Sequence, residues 1–188
     1  MNKPVEYGYP PCGCTVNINV DEICEKCNHK GGHFSGICRY PNEFKDGANH
    51  INVYSKGETE LGRWLSNFAH TPIDVPGDGL FESVEGYWYW LKHKDDRLRR
   101  LYGWEAKKFG NELSKQQTNI IENHEEFRTK ICTAIDIKLD SDQRMRQIFI
   151  KSILPLEHYY VFGGVKKDAG YKWILEYLEK RRRELQLT

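Results

Sequence analysis

Apolar and polar positions come in short bursts at first and then settle into a helical period. Residues 51–54 (INVY) and 61–68 (LGRWLSNF) read as short strands separated by the turn-forming Ser55-Lys56-Gly57. Residues 72–75 and Leu80-Phe81 flank Pro76-Gly77-Asp78-Gly79, which reads as a hairpin turn. From Ser83, a good N-cap, Val84, Trp88 and Leu91 recur at helical spacing and predict a helix running through Leu98 or Leu101. Ile121, His124, Arg128, Ile131 and Ile135 share one helical face; Met145, Ile148, Phe149 and Ser152 share another, which Pro155 ends. Residues 159–162 (YYVF) read as a strand, Gly163-Gly164 as a turn, and 169–185 as a closing amphipathic helix with Tyr171, Ile174, Leu175 and Leu178 inward. The predicted fold class is α+β, mainly α, with a small β-hairpin element packed on a helical domain.

At 188 residues, 39% apolar and 29% charged, the chain is an ordinary globular mixture, sized for one domain plus a small appendage. It has no stretch near the ~20 apolar residues of a membrane helix, and residues 1–11 carry no secretory pattern, so a cytoplasmic location is expected. Lys and Arg number 28 against 27 Asp and Glu, which excludes a binder held to nucleic acid by bulk charge. Any such contact must be local.

Five of the six cysteines crowd into the start of the chain, at Cys12, Cys14, Cys24, Cys27 and Cys38, while Cys132 stands alone as an expected buried thiol. The string CGCTVNINVDEICEKC holds a C-x-C and a C-x-x-C pair, two knuckles able to present four thiolates tetrahedrally to one zinc ion. Closely spaced thiols in a reducing compartment favour a metal over disulfides, and the segment is too poor in apolar residues to fold unaided. Cys12, Cys14, Cys24 and Cys27 are therefore the candidate ligands of a structural zinc, with His29, His33 and Cys38 as spares; the alternative is a reduced, thiol-rich tail. The expected division is a cysteine-rich segment over 1–45 and a main domain over 46–188, with Asp46-Gly47 marking a turn between them.

No G-x-S-x-G elbow, P-loop, Rossmann fingerprint or H-E-x-x-H occurs. The informative stretch is 63–92, RWLSNFAHTPIDVPGDGLFESVEGYWYWLK, where polar groups, aromatic faces and one well-placed carboxylate, Glu85, come together. If the hairpin folds back, Glu85 lies beside the strand carrying Ser66 and Asn67. The plainer reading is also open: a Glu in a first helical turn is stabilised by the helix dipole, and Trp88 and Leu91 suit a core.

Leu65-Ser66-Asn67-Phe68, followed by Ser83-Val84-Glu85 and an aromatic helix ending in Leu91-Lys92, resembles the signature of the NADAR family, also called YbiA-like, over roughly residues 51–183. That pattern is an L-S-N-F strand, a hairpin with a D-G turn, an S-x-E helix with a later lysine, and a glycine-rich loop before a last helix. The resemblance implies a NADAR/YbiA-like fold and an N-glycosidase that hydrolyses a ribosyl C1′–N bond. Its substrates would be ADP-ribose on guanine in nucleic acid or phosphoribosyl intermediates of riboflavin synthesis. Glu85, Lys92 and Asn67 are carried over as catalytic residues, with Ser66, Gly163, Gly164 and Asp168 as substrate-binding ones; Trp64, Phe68 and Tyr87 would stack on the base, unless Phe68 faces the core. No metal is needed for this chemistry.

Two departures stand out. Gly86 occupies a position that is commonly His, and a mid-helix glycine costs about 1 kcal/mol against alanine, which predicts a wider or kinked site. The closing loop reads HYYVFGGVKKD (158–168) in place of a W-G-x-G type sequence. The basic run Lys92, Lys94, Arg97, Arg99, Arg100 favours a polymeric substrate, unless it is a solvated helix face. Arg181-Arg182-Arg183 reads as a solvated helix end favoured by the dipole rather than as a nucleic-acid patch. The competing classes are a non-catalytic NAD or ADP-ribose sensor and a zinc-binding interaction module.

Overall fold

The computed structural model describes residues 45–115, 124–162 and 165–187. The candidate zinc ligands Cys12, Cys14, Cys24 and Cys27, the spares His29, His33 and Cys38, the loop glycines Gly163 and Gly164, and Ile121 lie outside them.

The described chain begins with β1 (Ile51–Asn52), α1 (Glu60–Leu65), the hairpin β2 (Ile73–Val75) and β3 (Gly79–Phe81), and α2 (Val84–His93). A 3-10 turn over Asp96–Arg100 leads to α3 (Gly103–Ser114). Then come α4 (Glu125–Ser141), α5 (Gln143–Lys151), β4 (Leu156–Glu157), β5 (Tyr159–Phe162), β6 (Val165–Asp168) and α6 (Lys172–Gln186). The strands form two antiparallel hairpins, β2–β3 and β5–β6, and one parallel pair in which Ile51 faces Leu156 and Asn52 faces Glu157. Asn52 extends that pair: its amide nitrogen donates to the Tyr159 carbonyl and its amide oxygen accepts from the Tyr159 N–H, both at 3.1 Å.

The L-S-N-F strand predicted over 61–68 is instead the helix α1 followed by a turn. Residues 61–68 contain no β-branched side chain, and Leu61 and Leu65 sit four apart so that both are buried on one helical face. Thr59 caps the helix by accepting from the Gly62 N–H at 3.0 Å.

The helix from Ser83 is present and starts as predicted, with the Ser83 hydroxyl accepting from the Gly86 N–H at 3.0 Å. It stops at His93 rather than Leu98 or Leu101, because Lys94 takes a left-handed backbone (φ 54°) and Asp95 then caps the 3-10 turn. Every residue of α2 from Val84 to Leu91 is buried, the signature of a helix enclosed on all sides. Two glycines allow this. A Cβ on Gly110 of α3 would lie 2.1 Å from the Tyr89 ring, and one on Gly86 would lie 2.6 Å from the Leu98 carbonyl oxygen and 2.7 Å from that of Leu101. Gly86 is thus a close-packing glycine in a continuous helix and produces no kink.

The core collects around α4, whose buried face is Phe127, Ile131, Ala134, Ile135, Lys138 and Leu139. That face is rotated from the predicted one, since His124 and Arg128 are exposed. Cys132 is half-buried, and burial pushes its thiol up to about 11. In α6, Ile174 and Leu178 point inward as predicted, whereas Tyr171 precedes the helix and is 45% exposed. Among the described residues no helix is long and apolar enough to cross a membrane.

Candidate functional site

The turn after α1 and the first turn of α2 are joined through the backbone. Glu85 donates its N–H to the Asn67 carbonyl at 3.0 Å, so the L-S-N-F and S-V-E strings meet at one place. Ser66 ends α1 with its N–H on the Gly62 carbonyl, and its hydroxyl accepts from the Phe68 N–H at 3.3 Å. Glu85 itself is only 8% exposed. Its place in the first turn of α2 sets its carboxylate against the positive end of the helix dipole.

At about 100° per residue, Glu85 and Lys92 fall within about 20° of each other on α2, two turns apart. Trp88 and Tyr89 flank that line. Trp88 turns toward α4 and the start of α6, meeting Phe127 edge-on at 4.7 Å, Tyr171 edge-on at 5.1 Å and Trp173 stacked at 6.0 Å. Tyr89 turns toward α3, where its hydroxyl donates to Asn111 at 2.7 Å. Glu85 and Lys92 therefore occupy the stripe between α3 and the start of α6. The Lys92 ammonium lies 5.1 Å from the centre of the Tyr89 ring.

Other predicted residues are distributed differently. Tyr87 belongs to the core: it is 0% exposed, packs on Phe81 and Trp90, and donates its hydroxyl to Asp78 at 2.7 Å. No ring face remains for a base. Trp64 and Phe68 line a groove of about 360 Å³ shared with Ala69, Arg63, Arg144 and Met145. Asp168 is exposed, its carboxylate accepts from the Gly170 N–H at 2.7 Å, and it borders a larger groove of about 770 Å³ with His158, Tyr159 and Lys166. Glu85 lines neither groove among the described residues.

The basic run is largely consumed within the fold. Arg97 pairs with Asp95, and Arg99 pairs with Asp96 while its guanidinium lies 4.5 Å from the Phe81 and Trp90 rings. Lys94 sits 3.8 Å from the Trp90 ring centre. Two of the three arginines are likewise structural: Arg181 bonds Asp136 and Glu184, and the buried Arg182 bonds Glu179 and the Leu154 carbonyl.

Sequence reasoning passed over three groups near these elements. Lys138, on α4, is buried and donates to the Ser66 carbonyl at 2.7 Å; burial pushes its ammonium down to about 7. The signal was present, because Lys138 continues the apolar stripe Ile131, Ala134, Ile135 at helical spacing. Lys107 of α3 reaches within 5.4 Å of the Phe68 ring centre. His158 is held below its usual pKa by burial and by the positive charge of Lys107, against the opposing Gly170 backbone and Asp168. These effects put α3, the Phe68 turn and the β5–β6 hairpin side by side. Among the described residues no cluster of three or more His, Cys, Asp or Glu side chains gathers to hold a metal.

No family model matches the chain, and no curated protein does either. A solved structure does: the NMR structure of the E. coli protein YbiA superposes with a TM-score of 0.57 at 19% identity, covering 75% of this chain and 90% of that one. The helical domain with its small sheets therefore has the YbiA-like fold that the L-S-N-F and S-V-E strings resemble.

Proposed function

We propose that this chain is a NADAR-type N-glycosidase that hydrolyses a ribosyl C1′–N bond, with ADP-ribose on a guanine of a nucleic acid as its substrate. The observation that carries the reading is Glu85: a carboxylate buried at the head of α2, tied through its own N–H to the Asn67 turn. In such a hydrolysis the C1′–N bond breaks through an oxocarbenium-like state, water adds its oxygen to C1′, and the base leaves carrying a proton. Glu85 stabilises the developing positive charge and takes the proton from the attacking water. Lys92, on the same stripe, binds a phosphate of the ADP-ribosyl group, and the Asn67 side chain holds a ribose hydroxyl or the base edge. Ser66 shapes the turn.

What supports a polymeric substrate has shifted from the basic run to α3. Trp104 is 66% exposed there, beside the exposed Lys108 and one turn from Lys107, and an exposed aromatic next to cations is a stacking platform for an unpaired base. The Cys12, Cys14, Cys24 and Cys27 segment adds a structural zinc that helps engage the polymer. The internal neutralisation of Arg97 and Arg99 favours the second reading, a small phosphoribosyl substrate of riboflavin synthesis that needs no such surface.

Mass spectrometry of an ADP-ribosyl-guanine oligonucleotide, incubated with wild type and with Glu85→Gln, tests the proposal. Release of ADP-ribose by wild type alone is expected. Cleavage of the riboflavin precursor instead would establish the second reading, and silence on both, with ligand binding unchanged in Glu85→Gln, would mark a sensor.

A further inference from the structure

Lys138 is a lysine in an unusual place. It is 2% exposed, it lies on the inward stripe of α4 among Ile131, Ala134, Ile135 and Leu139, and its ammonium makes a hydrogen bond to the Ser66 carbonyl, 72 residues away in sequence. The Trp64 ring centre is 5.8 Å from the same ammonium. Burying an ammonium is costly unless a carboxylate or several acceptors compensate, and among the described residues burial is what lowers its pKa.

The ammonium contributes little to stability. The Ser66 carbonyl also accepts from the Ala69 N–H at 3.0 Å, so removing the ammonium orphans nothing. The four-carbon stem could be replaced by the similar volume of methionine. What the ammonium does supply is position. Ser66 is the last turn residue before Asn67, and the Asn67 carbonyl is what the Glu85 N–H binds.

We propose that Lys138 is a positioning residue: by gripping the Ser66 carbonyl it fixes the Ser66-Asn67 turn, and through the Asn67 carbonyl it fixes the head of α2 and the Glu85 carboxylate. The catalytic half of this inference rests on the reading of Glu85 as the reacting carboxylate; the structural half does not. The chain from Lys138 to Glu85 has three links, the 2.7 Å bond to Ser66, one peptide step to Asn67, and the 3.0 Å bond to the Glu85 amide. Misplacing a reacting group by about 1 Å costs up to about 100-fold in rate, so loosening this chain acts on turnover.

Lys138→Met and Lys138→Gln are the test variants, the second keeping a donor and serving as the conservative rescue. Native-state hydrogen exchange by NMR reads the Glu85 amide directly, without any substrate. In Lys138→Met the Glu85 amide is expected to exchange about 10-fold faster or more while the Trp88 amide, one turn on, keeps its wild-type protection. Thermal stability at neutral pH is expected to hold or rise, and kcat to fall about 10- to 100-fold with KM nearly unchanged. Lys138→Gln should recover part of both the protection and kcat. Wild-type protection at Glu85 would overturn the inference, and so would a uniform loss of protection along α2 with a lower midpoint, which marks a merely structural role. Absence of turnover in wild type bears on the functional reading alone, and the exchange pattern then decides the role of Lys138 by itself.

Discussion

Glu85 and Asn67 are joined by a 3.0 Å backbone hydrogen bond across the interface between the first turn of α2 and the turn that ends α1. Because the bond uses the main chain of both residues, changing either side chain leaves it in place. Glu85→Gln is therefore expected to keep the fold, with an unchanged thermal midpoint, and to lose about 100-fold or more in turnover. Parallel calorimetry and product assays check this. A Glu85→Gln protein that turns over normally would remove Glu85 from the chemistry.

Gly86 gives a sharper structural prediction. Alanine favours a helix over glycine by about 1 kcal/mol, yet the added Cβ would meet the Leu98 and Leu101 carbonyl oxygens at 2.6 and 2.7 Å. Both obstacles are backbone, which yields poorly. Gly86→Ala is expected to destabilise by about 1 to 3 kcal/mol in urea unfolding, and Gly86→His, with its larger side chain, by more. A neutral Gly86→Ala would mean that the 3-10 turn moves freely.

The buried ammonium predicts a pH dependence. The folded-state value of Lys138 is lowered to about 7 from an ordinary 10.5, so between those limits the unfolded chain binds more protons than the folded one. Stability contributed at this site is lowest below pH 7, where both forms are charged, and rises as pH rises toward 10.5. Lys138→Met lacks this dependence. Its advantage in midpoint over wild type should be largest near pH 6 to 7 and shrink by pH 9.5; a constant difference would show that Lys138 titrates normally in the fold.

The exposed Trp104 separates the two substrate classes. Trp104→Ala is expected to weaken binding of a single-stranded oligonucleotide by about 10-fold, within the range of about 1 to 3 kcal/mol for one base stack. It should leave cleavage of a free ADP-ribosyl nucleoside untouched. Equal effects on both substrates would place Trp104 in the site rather than on a path to it.

The zinc proposal is tested by native mass spectrometry of the full chain. One zinc per chain is expected, released by a chelator and absent in a Cys24→Ser, Cys27→Ser double variant. A fully reduced chain that holds no metal would leave the segment a thiol-rich tail.

How much of this was legible in the sequence varies by element. The Ser83 N-cap and the β2–β3 hairpin were readable because each is set by local chemistry, a hydroxyl ahead of an apolar period and a Pro-Gly-Asp-Gly turn. Residues 61–68 resemble a strand because Trp64 and Phe68 are bulky aromatics, while the deciding facts for α1 are the Thr59 cap and the four-residue spacing of Leu61 and Leu65. Tyr87 was assigned to a ligand because its ring and hydroxyl suit either role; only its burial against Asp78 decides. The role of Gly86 could not be read at all, since the carbonyls that exclude a side chain there come from a turn twelve and more residues on.

The parallel pairing of β1 with β4 has a kinetic consequence. Its partners lie 105 residues apart, the Asn52–Tyr159 bonds beside them span 107, and α1, α2, α3 and α4 all lie within that span. Loop-closure entropy must be spent before so distant a contact returns anything, which makes the pair a late event in folding. A chain emerging from the ribosome completes α1, α2 and α4 before β4 exists to meet β1. Destabilising substitutions at Asn52 should therefore speed unfolding more than they slow folding, a pattern that denaturant-dependent kinetics would show as a change confined to the unfolding limb.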